Sequence, residues 1–325
     1  MNIPIMIVSN SRAEAGPLKS VIEAISCVPQ FQTMEVVRCM PTGRDPSWEM
    51  SHAIIHFTLV FANAEPNLVL VLGDRYETLA AALAAMFLKI PVAHIHGGEE
   101  TTGAFDDPMR HAITHIADLH FVATRKAFQR VVDLKGKAMG VHLVGAPGLD
   151  GIKRGSARRS RNKFLVTYHP ETMKPDNGVG GLTSLLEALD IFPAHEVVFT
   201  GVNNDPGNKL ISAAIEEWVK DRPQSSIKTD GDHDWYVWEM ERAAAVIGNS
   251  SAGIIEAPYI GCPTVNIGYR QEGREKAASI FDTPEITSEI VTAIRDALSF
   301  DCLPYPIYVG GASTIIARIL DEETR

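Results

Sequence analysis

The chain has 325 residues, 45 % of them hydrophobic and 22 % charged, with a mean hydropathy of +0.00 and a formal net charge of −10. At about 150 residues per domain this length suggests two domains, and the composition excludes disordered, collagen-like and coiled-coil classes. Lys and Arg number 30 against 40 Asp and Glu, so the electrostatic footprint of a nucleic-acid binder is missing and an anionic ligand must be met by locally placed donors.

Short Val, Ile and Leu runs bounded by turn residues alternate with helix-period segments, the signature of parallel strands joined by crossover helices. The class is α/β. Ile3–Ser9, Met34–Cys39, Leu68–Gly73, Val92–Ile95, Leu119–Ala123 and Val141–Val144 read as strands of a first lobe with helices between them. Leu79–Ile95 is broken by Lys89 and Pro91 and falls short of the ~20 residues that span a bilayer, so it reads as a helix followed by a strand, not a membrane segment. After Gly145–Gly148 the polar, basic stretch Lys153–Asn162 reads as a linker, dividing a lobe at 1–150 from one at 163–325. Phe164–Tyr168, Glu196–Thr200, Ala244–Ile247 and Thr264–Ile267 are the predicted strands of the second lobe, and the last helix, Gly311–Glu323, fits either lobe. Two doubly wound, Rossmann-like lobes facing across a cleft are the economical architecture, with ligands outside the carboxyl ends of the strands. Residues 1–10 lack the features of a signal peptide and Cys27, Cys39, Cys262 and Cys302 make no close pair, so a cytoplasmic setting with reduced thiols is expected.

Chemistry-bearing residues gather at predicted strand ends. Ser9–Glu14 is a polar turn opening a helix, where Arg12 and backbone N–H groups suit a phosphate and Ser11 equally suits a cap. Gly73-Asp74-Arg75-Tyr76-Glu77 puts Asp74 where a sheet presents reactive groups and where an Asp also caps the following helix. His94 and His96 share a face at the end of a strand, and Gly97 and Gly98 allow close approach of backbone to ligand. Zinc needs three or four ligands and no supplementary ligand pattern stands nearby, so no metal is expected. Asp106 and Asp107 precede a helix, as caps do and as a general base can. His111 and His115, with Arg110 beside them, read as a partly exposed helix surface.

In the second half His169 closes a strand, with an extended backbone favoured by Pro170, and Asn203 lies among the turn residues of Thr200–Gly207. The most telling element is Ile247–Glu256. There a buried strand turns through Ser250 and Ser251 into a helix whose N–H groups, hydroxyls and macrodipole make a diphosphate cradle without net positive charge. Glu256 offers paired acceptor oxygens to two vicinal ribose hydroxyls, and Arg270 adds a donor.

Gly-Asp-Arg-Tyr-Glu at 73–77, His-Ile-His-Gly-Gly-Glu at 94–99, Asp-Asp-x-x-Arg-His at 106–111 and Gly-Asn-Ser-Ser-x-Gly-Ile-Ile-Glu at 248–256 occur in this order. The set resembles the UDP-N-acetylglucosamine 2-epimerase family, hydrolysing branch, over nearly the whole chain. The resemblance implies a glycosyltransferase-B-like fold and places the branch in sialic and legionaminic acid synthesis. It implies that Asp74 and Asp107 are catalytic or substrate-contacting acids, that His169, Asn203, Ser250, Ser251, Glu256 and Arg270 bind the nucleotide, and that Arg12 lies near the phosphates. Members carrying Glu at the position of His96 use it in catalysis, which makes His96 the third catalytic candidate. Two departures are Ala15, where an aromatic residue is usual, and a short 40–67 segment.

The expected reaction converts a UDP-N-acetylated hexosamine to its free 2-epimer plus UDP, with water as co-substrate and neither cofactor nor metal, in keeping with the lack of a Gly-x-Gly-x-x-Gly after the first strand. A glycosyltransferase of the same fold, or a non-catalytic UDP-sugar-binding protein, is the competing expectation. No nucleic-acid or membrane partner is predicted, and apolar helices of the first lobe point to a homodimer.

Overall fold

The computed structural model describes residues 2–9, 12–37, 45–101, 106–158, 160, 162–203, 205–301, 303 and 307–324, with the side chains of 12, 13, 36 and 37 outside the description. In chain order the first elements are β1 (Ile3–Ser9), α1 (Arg12–Ser26), β2 (Phe31–Val37), α2 (Pro46–Ala64), β3 (Leu68–Leu72) and α3 (Tyr76–Phe87). They are followed by β4 (Val92–Ile95), α4 (Asp106–Ile116), β5 (Leu119–Val122), α5 (Arg125–Lys135) and β6 (Val141–Leu143). Next come β7 (Lys163–Thr167), α6 (Val179–Leu189), β8 (Glu196–Thr200), α7 (Asn208–Lys220), β9 (Ser225–Lys228), α8 (His233–Arg242) and β10 (Ala245–Gly248). The series ends with α9 (Ala252–Ile260), β11 (Thr264–Ile267), β12 (Ile280–Thr283), α10 (Thr287–Ser299) and α11 (Ala312–Glu323).

The chain forms two compact units. The first comprises Met1–Glu99, Asp106–Gly151 and Tyr308–Arg325, and the second Glu100–Phe105 and Ile152–Ile307. In the first unit six parallel strands lie in the order β2-β1-β3-β4-β5-β6. Alternation along a strand sends successive side chains to opposite faces, so β1 feeds two cores. Ile5 and Ile7 pack with Leu18, Val21 and Ile25 of α1 and with Ile316 and Leu320 of α11. Met6 and Val8 pack with Phe57 and Phe61 of α2 and the alanines of α3. The helix predicted to fit either lobe thus completes the layer beside α1. Its first amides are held by Asp150, which accepts from Ala312 N (3.1 Å) and Ser313 N (2.7 Å) and also from Gly311 N.

The second unit has six parallel strands in the order β12-β11-β10-β7-β8-β9. Renumbered within the unit this is 3-2-1-4-5-6 read from the β9 edge, the dinucleotide-fold order, whose switch point falls between β7 and β10. Phe164 and Val166 of β7 face Leu182, Leu185 and Ile294, while Leu165 faces Met240, Ala257 and Ile260. The basic stretch read as a linker lies in this unit: Gly155 N and Ala157 N donate to Tyr259 O and Ile260 O at the end of α9, and Arg158 N donates to Glu241 O near the end of α8.

Most strand positions coincide with the predicted ones to within a residue, with three differences. β2 begins at Phe31 rather than Met34, because its register pairs Phe31 with Ile3, and residues 38–39 of the predicted strand lie outside the described residues. β9 and β12 were not predicted at all. Among the described residues no helix is long and apolar enough to cross a membrane.

Candidate active site

The first unit builds its site from the turns after β3 and β4 and the start of α4. Gly73, at φ +84°, donates its amide to Ile95 O (3.0 Å) and hands the chain to Asp74. α4 then supplies Asp107 and, one turn on, Arg110, whose side chain is 2 % exposed. The Arg110 guanidinium donates to Asp107 Oδ1 (3.1 Å), to Glu99 O (2.9 Å) and to Asp74 Oδ2. One planar donor fork therefore fastens two predicted acids and the β4 turn together. The expectation that Arg110 lies on a partly exposed helix surface is corrected here, because its acceptors converge from three segments on the buried side of α4. His111 Nε2 lies 3.5 Å from Asp107 Oδ2.

The two histidines of the β4 turn do not act as a pair. His94 is fully buried and its Nε2 donates to Gly73 O (2.7 Å), while Thr114 Oγ1 lies 3.4 Å from Nδ1. Burial pushes its imidazole down to about 4, so it stays neutral and serves as a strut. His96 takes φ +63°, and its Nδ1 lies 2.6 Å from Glu99 Oε1. Gly98 permits this turn: at φ +76°, a Cβ there would come within 2.4 Å of Ala127 O. Among the described residues no group of three His, Cys, Asp or Glu side chains is placed to hold a metal. Arg12 opens α1 at the end of β1, but its side chain lies outside the described residues.

The second unit builds its site on the β7/β10 switch point. Gly248 pairs with Thr167 in register, and a Cβ there would lie 2.0 Å from Thr167 O, so only glycine lets the two strand ends close up. Asn249, fully buried, then bridges the gap. Its Oδ1 accepts from His169 N (2.7 Å), its Nδ2 donates to His169 O (2.8 Å), and its own carbonyl accepts from Arg270 Nη1 (3.2 Å) and Gln271 Nε2 (3.0 Å). Asn203 N donates to His169 Nδ1 (3.3 Å), leaving the proton of a neutral His169 on Nε2. Ser250 and Ser251 lead into α9, and Ala252 N donates to Ser250 Oγ (3.4 Å). Glu256 lies further along α9, and its charge, after burial, helps raise the phenol of Tyr236, which is hydrogen-bonded to Thr167 Oγ1 (3.2 Å). His169 and Arg270 are thus drawn onto Asn249, and Asn203 onto His169, beside a helix start whose dipole and amides favour an anion.

The family model described as UDP-N-acetylglucosamine 2-epimerase matches residues 19–321. The chain belongs to that family. A Legionella pneumophila protein named UDP-N,N'-diacetylbacillosamine 2-epimerase (hydrolyzing) is 34 % identical over 277 residues, covering 82 % of this chain and 73 % of that protein. Polysialic acid biosynthesis protein P7 of Escherichia coli is 34 % identical over 263 residues, covering 76 % of this chain and 66 %, just under two thirds, of that protein. A crystal structure of UDP-GlcNAc 2-epimerase from Neisseria meningitidis bound to UDP-GlcNAc superposes with a TM-score of 0.81 at 17 % identity, covering 98 % of this chain and 100 % of that one. The family's glycosyltransferase-B-like plan of two Rossmann-like units is therefore this chain's fold, and its curated relatives put it with the hydrolysing branch.

Sequence reasoning passed over Arg110, Glu99, Asn249, Gln271 and Tyr236. Arg110, Glu99 and Asn249 carried a signal, each lying inside a motif whose neighbours were chosen instead.

Proposed function

We propose that this chain is a hydrolysing 2-epimerase that takes a UDP-N-acetylated hexosamine, either UDP-N-acetylglucosamine or a diacetamido-trideoxy analogue, to the free 2-epimer and UDP. The observation that carries this reading is the fastening of Asp74, Asp107 and the His96 turn to one buried guanidinium. Such a cluster suits a reaction in which a weakly acidic carbon-bound proton must be moved by positioned groups. The name of the Legionella relative favours the diacetamido sugar, and that of the Escherichia coli relative a place in the supply of nonulosonic acids.

In this scheme the C2–H bond breaks as its proton passes to a base of the first unit, its electron pair forms the C1=C2 bond, and UDP departs from C1 with the C1–O pair. Water then adds across the glycal, hydroxyl to C1 and proton to the opposite face of C2. Asp74, His96 and Asp107 are the proton-transfer candidates, no cofactor is required, and Arg12 is the candidate donor to the leaving phosphates. Ser250, Ser251 and the start of α9 take the diphosphate, Glu256 the ribose, and His169, Asn203 and Arg270 complete the nucleotide site. Preorganised donors of this kind stabilise the charge that develops on a leaving group. The active species is a homodimer, supported by exposed Ile55 and Leu59 on α2 and Phe87 on α3.

Incubation with each UDP-sugar in D2O tests the proposal. Equimolar UDP and free sugar, with one deuterium at C2 of the inverted product, is the expected result. A UDP-sugar epimer formed without UDP release, or transfer of the sugar to an acceptor, would overturn it.

A further inference from the structure

Holding one nitrogen of a neutral imidazole fixes which nitrogen is left to take a proton, and the β4 turn holds one. His96 Nδ1 lies 2.6 Å from Glu99 Oε1, and no hydrogen bond from a described residue reaches its Nε2. A carboxylate only accepts, so the proton of a neutral His96 sits on Nδ1 and the Nε2 lone pair is left to act. The two side chains differ in access: His96 is 14 % exposed and Glu99 only 4 %. Glu99 is the more deeply buried of the two.

The turn that carries the pair is braced on both sides. Arg110 Nη1 donates to Glu99 O (2.9 Å), and Arg130 Nη1 donates to Gly98 O. His96 itself is kept at φ +63°, a left-handed conformation that is unfavourable for a non-glycine residue and persists only where surrounding structure holds it. His94 shows the opposite arrangement, with Nε2 donating to a carbonyl inside the fold. The fold thus sets two histidines, two residues apart, in opposite tautomers.

We propose that Glu99 is the positioning residue of a carboxylate–imidazole pair that fixes His96 with its proton on Nδ1 and presents Nε2 as the acceptor of the C2 proton. This rests on the epimerase reading. The C2 proton moves to Nε2 as UDP leaves C1 with its bonding pair, the imidazolium faces the Glu99 carboxylate, and the proton then passes from Nε2 to water. A buried carboxylate that orients an imidazole and stabilises its charged form is a recurrent device of proton-transferring sites.

The test joins kinetics to 15N spectra of histidine-labelled protein, which distinguish the two tautomers. Wild-type His96 is expected as the Nδ1–H form. Glu99→Leu should lower kcat by about 100-fold or more with KM within severalfold, because the wrong tautomer then competes. The His96 signal should move toward Nε2–H in the same variant. Glu99→Gln, whose carboxamide oxygen still accepts from Nδ1, should keep the tautomer and recover part of the kcat loss. A wild-type Nε2–H signal, or Glu99→Leu with unchanged kcat, would overturn the proposal, and the wild-type spectrum decides even where Glu99→Leu fails to fold. Failure of the parent reading looks different: no UDP release by the wild type from either sugar, or full kcat in His96→Gln, removes the proton-transfer role whatever the tautomer.

Discussion

Arg110 sits one helical turn into α4 with acceptors from three segments on its guanidinium. Removing one partner of a buried ionic network leaves the others desolvated, which costs about 3–5 kcal/mol. Arg110→Ala should therefore destabilise the first unit by about 3 kcal/mol in chemical unfolding, while Arg110→Lys, a point charge without the planar fork, should recover part of that stability but little activity. His94 makes a pH prediction. Its imidazole is pushed from 6.5 down to about 4 by burial, so below pH ~6.5 the unfolded chain takes up a proton that the folded chain refuses. Stability is then full above that pH and falls by about 3 kcal/mol as pH drops toward 4, at roughly 1.4 kcal/mol per pK unit. His120, pushed to about 3 with neither ring nitrogen hydrogen-bonded among the described residues, adds to the same fall. Urea midpoints from pH 7 to 4 should show it, with a shallower slope in His94→Gln. His120→Leu should also flatten the profile and leave stability at pH 7 equal or higher, since it removes two unsatisfied buried polar atoms.

At the scale of elements, apart from β2 and β6 at the edges of the first sheet, the strands that pattern reading found lie inside the sheets. β3, β7 and β10 are near-continuous apolar runs because helices cover both sides of a parallel sheet. β9 and β12 escaped because they are the edges of the second sheet, half exposed and partly polar: Ser-Ser-Ile-Lys and Ile-Phe-Asp-Thr carry little apolar signal. The site divides by the same logic. Asp74 and His96 were chosen on strand-end position and motif and Asp107 on motif and its place at a helix start, whereas the joining of Asp74, Asp107 and the Glu99 carbonyl on Arg110 links segments that only three-dimensional folding brings together. Asp150 was equally invisible, 161 residues before the amide of Gly311 that it accepts from. Since it supplies the N-terminal acceptor that α11 lacks locally, Asp150→Ala should cost about 1–2 kcal/mol. A lowered Tm with unchanged UDP affinity is the expected pattern, read by calorimetry.

For the molecule as a whole, a net charge of −10 leaves nucleotide binding to local donors rather than to a long-range field. The apolar faces of α2 and α3 belong to a different scale of argument. Ile55, Leu59 and Phe87 are 59 %, 61 % and 74 % exposed, and such faces mark association surfaces when contiguous. Leu59→Glu with Phe87→Glu should convert the proposed dimer to monomer in sedimentation velocity, without unfolding the first unit.

The division of the first unit between the two ends of the chain bears on how the protein is made. α11 supplies Ile316 and Leu320 to the layer over α1, yet it is translated only after the whole of Ile152–Ile307. Domains generally fold in the order of synthesis, but here the later unit is complete in sequence while the earlier one still lacks a helix. During synthesis the apolar face of α1 and β1 waits uncovered, and a released chain truncated at residue 307 holds the whole sequence of its second unit while its first stays open to chaperones and to proteolysis.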